Sequence, residues 1–164
     1  MTEVVVLSDT QMGPATRRRL PVRVYQALES ADLVLHAGDI VPSDLLRELC
    51  GFAPTLAVLG NNDADPDLSH LPETRLEVIE GVRVAMVHDS GPRAGRQARM
   101  RRRFPDADVV VFGHSHIPWN EPGVDGQLLF NPGSPTERRA QPHHTMGLLQ
   151  LEAGQVVRRE VVTV

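Results

Sequence analysis

Two aspartates, an asparagine and three histidines stand in this chain directly after short apolar runs. Val4-Val5-Val6-Leu7 leads into Ser8-Asp9, Leu33-Val34-Leu35 into His36-Ala37-Gly38-Asp39, and Leu56-Ala57-Val58-Leu59 into Gly60-Asn61-Asn62-Asp63. Val84-Ala85-Met86-Val87 leads into His88-Asp89, and Val109-Val110-Val111-Phe112 into Gly113-His114-Ser115-His116. Carboxylate oxygen, amide oxygen and imidazole nitrogen in one set suit Mn, Fe, Zn or Co better than Ca or Mg. Asp9, Asp39, Asn61, His88, His114 and His116 are too many ligands for one tetrahedral ion, but they fit two ions about 3.5–4 Å apart. Two divalent ions on two carboxylates leave excess positive charge, which a bridging hydroxide and a phosphodiester would neutralise. The expected chemistry is hydrolysis of a phosphate ester, with the ions lowering the pKa of bound water and clamping the phosphoryl oxygens.

For these residues to meet, the apolar runs must be strands whose carboxyl ends share one edge, where ligand sites form in α/β sheets. The first half alternates strand and helix patterns. A loop from Asp9 to Thr16 follows the first strand, and Pro21 is placed to open a helix reaching Glu29. A strand spans Asp32 to His36. Ser43 or Asp44 can cap a helix to Cys50, Gly51 can end it, and a third strand covers Thr55 to Leu59. This alternation implies parallel pairing. In the second half, Arg75–Ile79 and Val82–Val87 flank Glu80-Gly81 as a hairpin. A helix from Ala94 to Phe104 and a strand from Asp108 to Phe112 follow. Gln127–Phe130, Thr145–Leu151 and Gln155–Val162 read as further strands. The expected outcome is two packed sheets with helices covering their outer faces.

The 164 residues imply a single domain over 1–164, large enough to bury about 70% of its unfolded surface. Cys50 is the only cysteine, is expected to pack as a small apolar side chain, and permits no internal disulfide. No signal-peptide pattern or membrane-length apolar run is visible, so a cytoplasmic location is expected. The net charge of -4 argues against nucleic-acid binding through a broadly basic surface. All 17 basic residues are arginine, which excludes a lysine nucleophile or Schiff base.

In order and spacing, Asp9-Thr10-Gln11, Gly38-Asp39, Gly60-Asn61-Asn62-Asp63, His88 and Gly113-His114-Ser115-His116 resemble the calcineurin-like metallophosphoesterases. Asn131-Pro132-Gly133-Ser134 resembles a further signature of the small bacterial and archaeal phosphodiesterase branch, which is itself similar to the retromer subunit Vps29. The resemblance implies an α/β fold, a four-layer αββα sandwich of two mixed sheets flanked by helices. It implies a dinuclear centre, manganese leading and Fe, Zn, Co and Ni as alternatives. Asp9 and His116 would hold the first ion, Asp39 would bridge, and Asn61, His88 and His114 would complete the second. The two histidines of Gly-His-Ser-His can both face the site only beyond the strand end, and Gly113 is expected to allow that turn.

Asp39, Asn62 and His88 are the candidates for catalytic roles. Three positions depart from the family pattern. Gln11 stands where the family usually has histidine, making it a weaker metal ligand. Asn62 stands where many relatives carry a histidine acid, and an amide cannot donate a proton in that way. Asp89 stands where glycine commonly follows the histidine, and is expected to orient His88 or add negative charge near the phosphate. His36 reads as a structural hydrogen-bonding residue near the site; His70, His143 and His144 read as surface or loop residues.

Arg93, Arg96, Arg99, Arg101, Arg102 and Arg103 make one helix basic and read first as a solvated face. Arg17, Arg18 and Arg19 read as an exposed loop, from which one arginine could reach a substrate phosphate. The leading expectation is a metal-dependent phosphodiesterase acting through a metal-bridging hydroxide on a small phosphodiester or nucleotide-like substrate. The alternatives are a phosphomonoesterase and a non-catalytic, Vps29-like scaffold binding protein through a patch of Phe52, Ile117 and Trp119.

Overall fold

The computed structural model describes residues 1–11 and 19–164. The part of the Asp9–Thr16 loop beyond Gln11, together with Arg17 and Arg18, lies outside the described residues.

One five-stranded sheet is built from β1 (Thr2–Leu7), β2 (Leu33–His36), β3 (Thr55–Ala57), β9 (Thr145–Glu152) and β10 (Gln155–Thr163), in the order β10-β9-β1-β2-β3. The other contains β4 (Thr74–Ile79), β5 (Val82–Val87), β6 (Val109–Val111), β7 (Trp119–Pro122) and β8 (Leu128–Asn131), in the order β4-β5-β6-β8-β7. β1, β2 and β3 pair parallel, as do β5, β6 and β8, while the outer pairings are antiparallel. Both sheets are therefore mixed. The parallel centre of each aims several strand ends at a common edge.

Side-chain alternation explains the layers. Val4 and Val6 face Val84, Met86, Val109 and Val111 between the sheets. Val5 and Leu7 point the other way, toward Val24 and Leu28 of α1 (Val22–Glu29) and Leu45 and Leu49 of α2 (Ser43–Phe52). Ala85, Val87, Val110 and Leu129 cover the opposite outer face with Met100 of α3 (Arg96–Arg103) and Phe104. The order helix, sheet, sheet, helix is the expected four-layer sandwich.

Several local expectations need correction. Gly51 lies inside α2, which runs on to Phe52. Pro54 disfavours helical geometry at the residue before it, and Ala53 is accordingly extended at φ -154°, ψ 161°. Neither Ser43 nor Asp44 caps α2 through its side chain; the Ser43 N–H instead donates to Asp65 Oδ2 at 3.1 Å. Cys50 is exposed, because Leu45 and Leu49 take the inward positions one turn apart. β7, which no strand pattern announces, pairs with β8 at a sheet edge where Pro122 costs no ladder bond. Arg96 is not on a solvated face. It is buried, with its guanidinium 5.0 Å from the Phe112 ring centroid and 4.9 Å from that of Trp119. Arg99 donates to Ser90 O at 2.8 Å and to the Pro92 carbonyl, so α3 is stitched to the loop before it.

Candidate metal centre

Asp9 leaves β1 in the left-handed region, φ 56°, fully buried. Its Oδ2 accepts from Ser8 Oγ at 2.6 Å and from the His114 N–H at 3.0 Å. Its Oδ1 has no hydrogen-bond partner among the described residues and faces His116 Nε2 across 3.3 Å. The His116 Nδ1–H donates to the Glu137 carbonyl, which can only accept, so Nε2 presents a lone pair, and it too has no hydrogen-bond partner. Two acceptors meeting in a buried interior repel unless a cation or a proton lies between them. The residues present therefore fit a metal at this point.

Asp39, at the end of β2, also has φ 56°. Its Oδ1 accepts the Asn62 N–H at 2.8 Å, and its Oδ2 accepts Asn62 Nδ2 at 2.8 Å and Gln11 Nε2 at 2.9 Å. Gln11 thus directs its amide nitrogen at Asp39, and Asn62 holds the same carboxylate twice. Gly60 is required here: an added Cβ would stand 2.2 Å from both Asp39 N and Oδ1.

His88 begins where β5 ends, with Nδ1–H donated to Ala37 O at 2.7 Å across the two sheets. Its Nε2 is 3.4 Å from Asp39 Oδ2, 3.9 Å from Asp9 Oδ1 and 2.9 Å from Asn61 Oδ1. The same Asn61 oxygen lies 3.1 Å from His114 Nδ1. Donor atoms of Asp9, Asp39 and His88 all lie within 4.8 Å of one another. Burial works against a charge on His88, yet the carboxylates of Asp39 and Asp9 outweigh it and raise the imidazole pKa. A divalent cation answers the same field. Burial likewise opposes the Asp39 charge, and the neighbouring His88 imidazole together with the Asn62 donors outweighs it, leaving the carboxyl pKa well below its usual range.

His114 and His116 both face the site, but for a different reason than expected. Gly113 has no left-handed φ; the turn is made by the histidines themselves, at φ 69° and 62°. Gly113 is needed for close approach, since a Cβ would come within 1.9 Å of Ser8 Oγ. Four non-glycine residues in the left-handed region at one locus store strain of order 1–3 kcal/mol each, a mark of functional sites.

The structure adds supports that sequence reading passed over. The buried Asp63 accepts from the backbone N–H of Asp39 at 2.9 Å, Ile40 at 2.8 Å, Val41 at 3.3 Å and Gly60 at 2.8 Å, so it clamps the turn carrying Asp39. Ser134 Oγ donates to Asp9 O at 2.7 Å, and Asn131 Nδ2 donates to Gly113 O at 3.2 Å, which gives the Asn-Pro-Gly-Ser segment a bracing role. His36 takes its expected structural part. It accepts from the Gly38 N–H at 3.1 Å and lies 2.9 Å from Thr10 Oγ1, which donates to Ile40 O at 3.0 Å. Burial pushes the His36 imidazole down to about 4, and it stays neutral. A carboxylate four residues beyond the expected strand end at Leu59 is the only sequence signal Asp63 offered, and a turn explains it equally well.

Asp89 sits beside His114 rather than His88: its Oδ2 is 3.9 Å from His114 Nε2. Phe52, Ile117 and Trp119 do not form one patch. Phe52 packs on Tyr25 at 6.0 Å in the helix layer of the first sheet, whereas Trp119 packs on the outer cluster of the second.

Comparison with known proteins agrees with this geometry. Residues 2–154 match the calcineurin-like phosphoesterase superfamily domain. A probable metallophosphoesterase of Methanothermobacter thermautotrophicus is 38% identical over 136 residues, 82% of this chain and 77% of that protein. The solution structure of a Thermotoga maritima protein superposes with a TM-score of 0.73 at 29% identity, covering all of both chains. Zinc-complexed Vps29 of Entamoeba histolytica superposes with a TM-score of 0.76 at 22% identity over 98% of each chain, which shows the shared fold. The strand-end donors, the paired lone pairs of Asp9 and His116, and a match along nearly the whole chain converge on one conclusion: this chain belongs to the calcineurin-like phosphoesterase superfamily.

Proposed function

We propose that this protein is a metal-dependent phosphodiesterase with a dinuclear centre, manganese being the leading ion. The observation that carries the reading is the buried pair Asp9 Oδ1 and His116 Nε2, without hydrogen-bond partners among the described residues, beside a carboxylate, Asp39, that has two oxygens to share. Asp9 and His116 would hold one ion, Asn61, His88 and His114 the other, and Asp39 both. Bound there, the ions would supply hydroxide near neutral pH and offset charge on the phosphoryl oxygens.

The chain's own residues fix where those donors point. Ala37 O and Glu137 O hold the Nδ1–H tautomers of His88 and His116, so both Nε2 lone pairs face inward. Asn62, with no proton to give, acts on Asp39 by two hydrogen bonds, so leaving-group protonation falls to solvent or is not needed. Diester rather than monoester specificity is supported by the charge count and by two clefts near the centre. A cleft of about 290 Å³ runs past Asn61 and His88, and another of about 460 Å³ lies along Thr136 and Glu137. A diester has an arm for each.

The test is hydrolysis of bis(4-nitrophenyl) phosphate against 4-nitrophenyl phosphate with added manganese. Faster diester turnover that EDTA abolishes and manganese restores is expected. Preference for the monoester would make the protein a phosphomonoesterase, and metal-loaded protein inert to both would point to a binding scaffold.

A further inference from the structure

Two clefts near the centre carry opposite charge, one lined by Asn61 and His88 themselves and one behind Asp9, His114 and His116. The cleft past Asn61 and His88 presents Glu73 and Asp89 against the single Arg103, over Leu59. The second, far cleft is lined by Arg19, Arg138, Arg139 and His144, with Glu137 the only carboxylate among its described residues. The far cleft is joined to the metal ligands by short links. Glu137 O holds His116, Thr136 Oγ1 donates to Asp9 O at 3.3 Å, and Arg139 Nη1 donates to the carbonyl of His114 at 3.4 Å. Arg139 is itself held at φ 51°, in the left-handed region.

We propose that the basic cleft is a subsite for a second phosphate group, so that the substrate is a phosphodiester with one phosphorylated arm. Three guanidinium groups against one carboxylate leave a net positive wall, in a protein whose total charge is -4. The hydrogen bonds of Arg138 and Arg139 go to the carbonyls of Gln141 and His114, which neutralise no charge and leave most of each five-donor fork for a ligand. Such forks match phosphate geometry bidentately. In the first cleft, Glu73 and Asp89 repel an anion and leave that cleft to a neutral arm. Charge asymmetry between the clefts thus fixes which way the substrate lies. The phosphates of a nucleotide-like chain, one nucleoside apart, have this chemistry.

This inference rests on the phosphodiesterase reading, and the probes separate the two. Thymidine 5′-(4-nitrophenyl phosphate) and its 3′-phosphorylated counterpart differ only in the second phosphate. With manganese-loaded protein, kcat/KM for the phosphorylated ester is expected to be at least about tenfold higher, with the advantage shrinking as salt is raised. In Arg138→Ala/Arg139→Ala, at unchanged metal content, that ratio falls to about one. A wild-type ratio near one, or a ratio that survives the double substitution, overturns the subsite. Should neither ester be cleaved, the phosphodiesterase reading fails, and the subsite is judged by binding. Thymidine 3′,5′-bisphosphate must then bind more tightly than the 5′-monophosphate in titration calorimetry; equal affinities overturn it.

Discussion

Asp9 Oδ1 and His116 Nε2 face each other 3.3 Å apart, both fully buried and neither hydrogen-bonded to any described residue. A native interior rarely keeps two acceptors in opposition without a cation to reconcile them. Metal should therefore stabilise the fold. Manganese at about a hundred times its Kd is expected to add about 2.7 kcal/mol, read as a higher melting temperature. His116→Ala should lose most of that gain. A thermal shift that is the same with and without His116 would remove it from the ligand set.

Asp39 gathers donors from Asn62 and Gln11 on a carboxylate that also faces His88. Asp39→Asn keeps the size but sets an amide NH₂ against those donors and removes the shared negative charge. Activity should drop about a hundredfold or more with the circular dichroism spectrum unchanged. Undiminished turnover in the folded variant would rule out a bridging role.

Asp63 touches no expected ligand atom, yet it accepts four backbone N–H groups of the turns bearing Asp39 and Asn61. Asp63→Asn should cost about 2–3 kcal/mol of stability in urea unfolding and weaken metal binding, because one oxygen becomes a donor facing donors. Wild-type stability and metal affinity together would mean that the turn holds itself.

Gln11 points its amide nitrogen at Asp39 Oδ2. Gln11→His places an imidazole there and is expected to tighten the first metal about tenfold in a competitive chelator titration. No gain would mean that position 11 does not reach that ion.

His36 is held neutral by burial, with its pKa down at about 4 against an ordinary 6.5. The unfolded chain takes up a proton below pH 6.5 and the folded protein does not. Its contribution is therefore intact above pH 6.5 and lost as pH falls toward 4, by up to about 3 kcal/mol. Urea midpoints of the metal-free protein at pH 7.5 and 5 measure the loss. If His36→Gln leaves the loss unchanged, another group is responsible.

Arginine placement shows where the sequence stopped being readable. Six arginines around one helix look like a solvated face, but Arg96 lies buried between the rings of Phe112 and Trp119, residues 16 and 23 positions away. Helical spacing says which residues share a face; it cannot say that another strand supplies rings to cover it. For the same reason β7 and the inward role of Asp63 were not visible. Each is defined by a distant partner.

By itself the sequence determined that oxygen- and nitrogen-bearing side chains able to hold a metal follow apolar strands, since alternating burial and the turn residues after each strand are local properties of the chain. That made Asp9, Asp39, Asn61, His88, His114 and His116 nameable as candidate ligands before any coordinates. Only the tertiary structure decided which lone pair each donor presents and which atoms are left without partners. Those facts depend on Ala37 O, Glu137 O, Ser8 Oγ and Asp63, held in place by two sheets packing face to face. Hydrogen-bond direction is set by geometry between distant segments, and no sequence spacing encodes it.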